Sequence, residues 1–225
     1  MKRTIYPGSE FIIQKPEFGK GKLHNDYGRG FYCTEDIDLA REWSADENRD
    51  GIVNKYLIDE AGLKILTLEE PEFTSLHWIE LLLSNRDFSL TTPLAIEGAK
   101  YLHEYFHADT SGADVIIGYR ADDSYFSYAK DFVNGTISCA QLGDALRLGN
   151  LGLQYFIKSK KAFERLEFVG SERVDSKIWY PRKEIRDSKA RQDYFNMDVK
   201  KYIRGGLYMF HIFEQEVKSD DLRIR

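Results

Sequence analysis

Short strand-like segments alternate with helical segments along the whole of this 225-residue chain, and this order limits the fold more than any other feature. Apolar runs such as Val53–Ile58 and Asp114–Tyr119 are bounded by turn-forming residues, which is typical of buried strands. Between them, Thr74–Asn85 carries apolar residues at helical spacing on one face. Dispersed strands and helices of this kind predict a mixed α+β fold.

The remaining elements are assigned in the same way. Strands are expected at Lys64–Leu68, Leu153–Lys158 and Glu167–Val169, and strands or loops at Thr4–Tyr6 and Glu10–Ile13. Helices are expected at Asp36–Ala45, Leu94–Phe106, Asp122–Val133, Ser138–Leu148, Lys160–Leu166 and Glu184–Phe195. The composition becomes strongly charged after Gly170, and Leu207–Phe213 is apolar again. We therefore expect one domain over 1–170 and a charged helical extension, 171–225, packed on the same domain.

Composition excludes several classes of protein. The net charge is −5 and both signs are scattered, which argues against nucleic-acid binding through a broad basic face. No segment approaches the roughly 20 apolar residues of a membrane-spanning helix, and Met1–Gly8 lacks the apolar part of a signal peptide. Cys33 and Cys139 lack metal-ligand spacing. We expect a cytoplasmic protein with two ordinary thiols and no membrane partner.

Three short blocks carry the residues that could do chemistry. They are Ile5–Ser9, which reads Ile-Tyr-Pro-Gly-Ser, the glycine-containing segment Asp26–Thr34, and Leu153–Lys158. In the second block, Gly28 and Gly30 permit close approach of the backbone to a ligand, and Tyr32 offers a flat ring for stacking. The block lacks the pattern of a dinucleotide-binding Rossmann turn or of a phosphate-binding loop. Alone, it favours the plainer interpretation of a tight turn before a core aromatic.

In this order, the blocks resemble the signature of the ADP-ribosyltransferase superfamily, especially its diphtheria-toxin and poly-ADP-ribose-polymerase branch. That branch carries His-Gly-Ser/Thr, then Gly-x-Gly-x-Tyr-x-Thr/Ala, then a glutamate near the start of a late strand. The chain more closely resembles the bacterial family of domains of unknown function numbered 3990. This closer resemblance covers nearly the whole chain and adds Asp114–Asp123, Ala162–Phe168 and Arg186–Arg191. It implies split β-sheets that clasp NAD⁺, with helices around them.

The resemblance also implies roles for particular residues. Gly8 would bind the nicotinamide carboxamide through its backbone, and Tyr32 would stack on the nicotinamide ring. Gln154 falls where the superfamily has its catalytic glutamate, so Gln154 and Tyr32 are the candidate catalytic residues. The candidate cofactor-binding residues are Tyr6, Gly8, Ser9, Gly28, Arg29, Gly30 and Tyr32.

Two positions depart from the superfamily pattern. Breaking the bond between nicotinamide and ribose passes through an oxocarbenium-like transition state, which a glutamate stabilises through its charge. Gln154 keeps a hydrogen-bonding group but has no charge, although the resemblance implies that glutamine is usual here in the bacterial family. Pro7 stands where a histidine would grip the ribose, and proline offers neither a side-chain donor nor a backbone N–H.

Other polar residues have alternative interpretations. His24 could replace the missing histidine, although a solvated loop histidine is the commoner case. Asp26 is interpreted as an anchor of its loop. Arg29 either meets the pyrophosphate or faces solvent. Asp122, the first residue of the pair Asp122–Asp123, is interpreted as a helix N-cap in preference to a carboxylate that substitutes for the missing glutamate.

His103 and His107 are four residues apart on a predicted helix, and His103-Glu-Tyr-Phe-His107 fits the short pattern of zinc proteases. No third ligand is evident from spacing, so no metal is assigned. From the three blocks, the leading hypothesis is NAD⁺-dependent mono-ADP-ribosyl transfer to a protein or nucleic-acid acceptor. The resemblance also fits a toxin that pairs with an antitoxin. The alternatives are a catalytically degenerate NAD⁺- or ADP-ribose-binding module, and a zinc-dependent hydrolase that uses His103 and His107.

Overall fold

A computed structural model describes residues 1–121 and 123–224, and this part of the chain forms a mixed α+β fold with two four-stranded sheets. The strands are β1 (Lys2–Ile5), β2 (Gly8–Ser9), β3 (Phe31–Cys33), β4 (Gly51–Asp59), β5 (Ile65–Thr67), β6 (Val115–Tyr119), β7 (Leu153–Ile157) and β8 (Leu166–Val174). The helices are α1 (Ile37–Ser44), α2 (Ser75–Asn85), α3 (Pro93–Tyr105), α4 (Asp123–Val133), α5 (Cys139–Ala145), α6 (Lys160–Phe163), α7 (Ser176–Phe195), α8 (Val199–Ile203) and α9 (Met209–Glu214). The α+β class expected from the sequence is confirmed.

The first sheet is built around β4. Strands β1 and β2 both pair antiparallel with β4 along one edge, and β8 pairs antiparallel with it along the other. Tyr56 therefore lies between Ile5 on one side and Phe168 on the other. The break between β1 and β2 falls at Tyr6 and Pro7, where the backbone N–H of a proline is missing.

The second sheet has the order β3-β7-β6-β5. The pairs β3–β7 and β7–β6 are antiparallel, whereas β5 and β6 are parallel. Both faces of this sheet are covered. Val115 and Ile117 pack with Ile5 and Tyr56 of the first sheet, while Ile116 between them packs in the larger core with the helices. Coverage on both faces explains why β6 is an uninterrupted apolar run.

Short polar side chains begin most of the helices. The residues that accept a hydrogen bond from a backbone N–H of the following helix are Asp36, Thr74, Thr92, Ser138, Ser159, Asp175 and Asp198. Asp36 is thus the cap of α1. The prediction that Asp122 caps a helix falls outside the described residues, and α4 begins at Asp123.

The C-terminal part is joined to the rest of the molecule by a strand and by side-chain contacts. Strand β8 continues to Val174, well past the predicted end at Val169, so the expected boundary after residue 170 falls inside this strand. Helix α7 begins eight residues before Glu184 and contacts α1 through Arg186, whose Nε lies 2.7 Å from an oxygen of Glu42. Met209 and Ile212 of α9 return to the larger core.

The structure also bears on other expectations from the sequence. The segment Glu10–Ile13 is a loop, and α6 ends at Phe163, three residues before the predicted end. Cys33 and Cys139 are both free and buried, as expected of ordinary thiols, and burial raises the pKa of each. Among the described residues, none of the helices combines the length and apolar character that crossing a bilayer requires.

Candidate functional site

A pair of backbone hydrogen bonds between the first and the second sequence block joins the two sheets. The N–H of Tyr6 donates to the carbonyl of Thr34 over 2.7 Å, and the N–H of Thr34 donates back over 3.0 Å. Tyr6 directly follows β1 in the first sheet, and Thr34 directly follows β3 in the second. This pairing brings the start of the Ile5–Ser9 block beside the end of the Asp26–Thr34 block.

Gly8 is explained by the close packing of α1. A Cβ atom at this position would lie 2.5 Å from the carbonyl oxygen of Ala40 and 2.8 Å from the backbone nitrogen of Ser44. The hydroxyl of Ser9 is used in the loop that follows, since it donates to the carbonyl of Phe11 and accepts from Nδ2 of Asn54. Both residues therefore have structural roles, whether or not they also contact a ligand.

The second block is held by the hydroxyl of Tyr32. This hydroxyl donates to the carbonyl of Gly28 over 2.6 Å and accepts from the N–H of Tyr27 over 3.1 Å. Gly28 has a φ of +87°, a conformation that favours glycine. Burial raises the pKa of Tyr32 far above its usual value, so the hydroxyl stays protonated. The side chain of Tyr32 thus bonds back to the backbone of Tyr27 and Gly28 and closes the loop between them.

The ring of Tyr32 lies against strand β7. Its centroid is 4.8 Å from that of Phe156, with an angle of 37° between the rings. Gly30 allows this contact, because a Cβ atom there would lie 2.2 Å from the Phe156 ring and 2.6 Å from the carbonyl of Ile157. Arg29, between the two glycines, is exposed to solvent. One face of Tyr32 is therefore covered by Phe156.

Gln154 lies at the centre of a buried polar network. Its side chain is 2% exposed, and Nε2 donates to Oδ2 of Asp26 over 3.0 Å and to the carbonyl of Tyr119 over 3.1 Å. Asp26 is 3% exposed and accepts three further hydrogen bonds. They come from the N–H of Ala121, over 3.0 Å, and from Nε and Nη2 of Arg86, over 2.8 Å and 2.5 Å.

This network gives a local reason for glutamine in place of glutamate. The two groups that face Nε2 of Gln154 are acceptors, the carboxylate of Asp26 and the carbonyl of Tyr119. A glutamate would bring no hydrogen to either of them, and two carboxylates at this distance would not both stay ionised. The same two acceptors fix the orientation of the amide. Both hydrogen bonds of the Gln154 side chain among the described residues are made by Nε2, and Oε1 makes none of them.

Asp26 is confirmed as the anchor of its loop, and Arg86 was not anticipated from the sequence. Arg86 directly follows α2 as its C-cap, and its guanidinium also lies 4.4 Å from the ring centre of Phe126. Sixty residues separate Arg86 from Asp26, and no spacing rule connects them. The ion pair is a tertiary contact that ties α2 to the glycine-containing loop.

A family model described as a protein of unknown function, DUF3990, matches residues 3–168, which is most of the chain. The chain belongs to the DUF3990 family. No curated protein and no solved structure matches it. The match includes all three blocks but ends at Phe168, so the Arg186–Arg191 segment lies outside it.

Pro7 and His24, the departing residue and its suggested replacement, lie apart from the Gln154 network in their contacts. In this DUF3990 protein, Pro7 is buried and its carbonyl accepts a hydrogen bond from the N–H of Asn54. His24 is half exposed, and its Nδ1 lies 3.6 Å from a carboxylate oxygen of Asp87. Neither side chain hydrogen-bonds Gln154, Asp26 or Tyr32 in the described structure. Neither Pro7 nor His24 therefore takes part in the Gln154 network.

A cleft of about 650 Å³ borders the network from the side of Tyr119. It does not include the candidate cofactor-binding residues or Gln154. Its walls come from the segment after β5, the start of α2, helix α5 and the C-terminal segment. The charged residues that line it are Glu69, Glu70, Asp144, Arg147, Lys201 and Arg223. Sequence analysis did not anticipate this cleft, because its walls come from segments far apart in the chain.

His103 and His107 lie beside each other, with ring centroids 5.1 Å apart. The structure adds a third candidate metal ligand, the carboxylate of Glu80 on α2, which spacing alone did not reveal. The signal in the sequence is a charged residue inside the apolar segment Leu76–Leu83. These three residues form a cluster separate in its contacts from the Gln154 network.

Proposed function

We propose that this chain binds NAD⁺ and transfers its ADP-ribose to a protein or nucleic-acid acceptor as a mono-ADP-ribosyltransferase. The observation that carries the proposal is the orientation of Gln154. Asp26 and the Tyr119 carbonyl use its Nε2, so Oε1 is left as an acceptor near the start of β7. A hydroxyl of the nicotinamide ribose is a suitable donor for such an oxygen.

The reaction breaks the C–N bond between ribose and nicotinamide. Nicotinamide leaves neutral with the electron pair of that bond, positive charge develops on the ribose, and a nucleophile of the acceptor forms the new bond to the same carbon. Gln154 would hold the ribose hydroxyl and direct the negative end of its amide dipole toward that charge. The carboxylate of Asp26 adds little, because Arg86 neutralises it. We therefore expect slow turnover compared with a site that holds a glutamate.

Tyr32 would supply the stacking surface for nicotinamide. Phe156 covers one face of the ring, and the hydroxyl is occupied by Gly28 and Tyr27. Ring stacking and hydroxyl bonding are therefore separable. Tyr32→Phe keeps the ring but loses the two hydroxyl bonds that hold the loop, so it is the reference against which the loss of stacking is measured. Tyr32→Leu removes the ring and should weaken binding by about 0.5–1.5 kcal/mol, which is about two- to twelvefold in Kd.

The second candidate function is NAD⁺ or ADP-ribose binding without turnover. Two observations favour it: the absence of a donor on Pro7, and the neutralisation of Asp26 by Arg86. Both functions predict saturable NAD⁺ binding, and they differ in the release of nicotinamide. A role as a toxin belongs to the first candidate, and it predicts that induced expression arrests bacterial growth unless Gln154 is replaced.

Gln154→Ala tests the assignment of the catalytic residue. We expect nicotinamide release to fall about tenfold or more, because one positioned acceptor is lost, while the Kd for NAD⁺ changes less. Gln141→Ala is the matched control, since Gln141 is also buried but lies on α5. Circular dichroism and thermal unfolding verify that both variants fold. Equal release by wild type and Gln154→Ala would refute the role of Gln154.

A further inference from the structure

Glu80, His103 and His107 form a compact cluster where α2 meets the C-terminal end of α3. Nδ1 of His103 lies 2.8 Å from Oε1 of Glu80, and Nδ1 of His107 lies 3.2 Å from the same oxygen. One candidate ligand atom from each residue falls within 4.8 Å of the other two. Glu80 is 1% exposed, whereas the histidine side chains are 65% and 49% exposed.

The carboxylate of Glu80 is incompletely satisfied. Oε1 receives both histidine nitrogens and also the hydroxyl of Ser84, at 2.7 Å. Oε2 is buried and has no hydrogen-bond partner among the described residues. A buried carboxylate oxygen without a partner is unfavourable, and such oxygens in proteins are commonly paired or bound to a metal. The unpartnered oxygen is a second observation, independent of the histidine spacing, that points to a cation.

We propose that Glu80, His103 and His107 bind a divalent metal ion of the zinc class. Two imidazoles and one carboxylate form a nitrogen–oxygen donor set that suits zinc and its neighbours better than calcium or magnesium. Bonds of 2.0–2.1 Å in a tetrahedral site put donor atoms about 3.3 Å apart. The present separations of 2.8 Å and 3.2 Å are a few tenths of an ångström shorter. The exposed histidines can move by that amount.

Besides this small movement, binding requires a change of tautomer at the histidines. Each neutral imidazole coordinates through the Nδ1 lone pair and carries its proton on Nε2. The hydroxyl of Ser84 keeps its bond to Glu80 and orients the carboxylate. Three protein ligands leave one position for water, on the side where the two imidazoles are exposed. The bound ion links α2 to the end of α3.

The test uses full-length protein freed of any affinity tag and treated with a chelator. We expect calorimetric titration with Zn²⁺ to show one ion per chain, bound at micromolar or lower concentration. Co²⁺ in place of Zn²⁺ should give the visible absorption of a four- or five-coordinate ion. The melting temperature should rise when Zn²⁺ is added, with no requirement for NAD⁺.

Two variants and one control separate this cluster from adventitious binding. The double variant His103→Ala/His107→Ala, which changes only exposed side chains, should lose the stoichiometric site and the rise in melting temperature. Glu80→Gln should weaken Zn²⁺ binding at least tenfold. His24→Ala, another exposed histidine beside an acidic residue, should bind as the wild type does. Absence of saturable binding below millimolar Zn²⁺, or full binding by the double variant, overturns the proposal.

Discussion

Replacement of Asp26 by alanine should destabilise the protein more than any nearby surface change. The variant leaves the guanidinium of Arg86, whose side chain is 24% exposed, without its carboxylate. It also leaves the N–H of Ala121 and Nε2 of Gln154 without an acceptor on Asp26. Removal of one partner from a buried ion pair costs about 3–5 kcal/mol. The partial exposure of Arg86 lowers this cost, while the two other lost hydrogen bonds raise it, so we expect about 3–5 kcal/mol in total.

Urea unfolding followed by circular dichroism measures this difference, provided that the dependence of the unfolding free energy on urea is unchanged. Asp87→Ala is the matched control. Its side chain is 85% exposed and lies beside the exposed His24, so we expect a change below about 0.5 kcal/mol. In a double-mutant cycle, the variant Asp26→Ala/Arg86→Gln should lose much less stability than the sum of the losses in the two single variants. A cost below about 1 kcal/mol for Asp26→Ala, or additive losses, would refute the network as described.

Two further predictions concern packing and pH. Gly30→Ala should destabilise the fold by more than about 1 kcal/mol, because its Cβ would clash with Phe156, whereas Gly170→Ala has open space and should change the melting temperature little. The pKa of Asp114 is lowered in the folded protein, chiefly by the hydroxyl of Ser159. The ionised carboxylate therefore stabilises the fold above the unfolded pKa of about 3.9, and this stabilisation is lost as the pH falls through the lower pKa of the folded state. The stability gap between wild type and Asp114→Asn should therefore narrow between about pH 5 and about pH 2, as measured by urea unfolding at several pH values.

Much of the fold could be predicted because the local signals are strong. The apolar run Val115–Tyr119 marks a strand covered on both faces, and Thr74 and Ser138 mark the starts of two helices. Strand β8 was underestimated because most of its side chains are at least partly exposed, so apolar residues give no continuous signal. Its extent depends on pairing with β4, more than one hundred residues earlier, which no local pattern encodes.

The candidate site was predictable only in part. The two glycines and Tyr32 were found from the pattern of one short segment, and Asp26 was recognised as an anchor. Arg86 and Glu80 were missed because their partners are distant in the chain. The sequence indicates which residue types are available for chemistry. Only the tertiary contacts indicate which charged side chains are paired with one another.

The measurement that tests the account most directly is calorimetric titration of NAD⁺ into the wild-type protein, followed by nicotinamide release from the same sample. The account predicts saturable binding and slow release that depends on Gln154. Binding without any release would leave the second candidate function, a binding module. No binding at millimolar NAD⁺ would contradict both functions and leave the cluster of Glu80, His103 and His107 as the remaining candidate site.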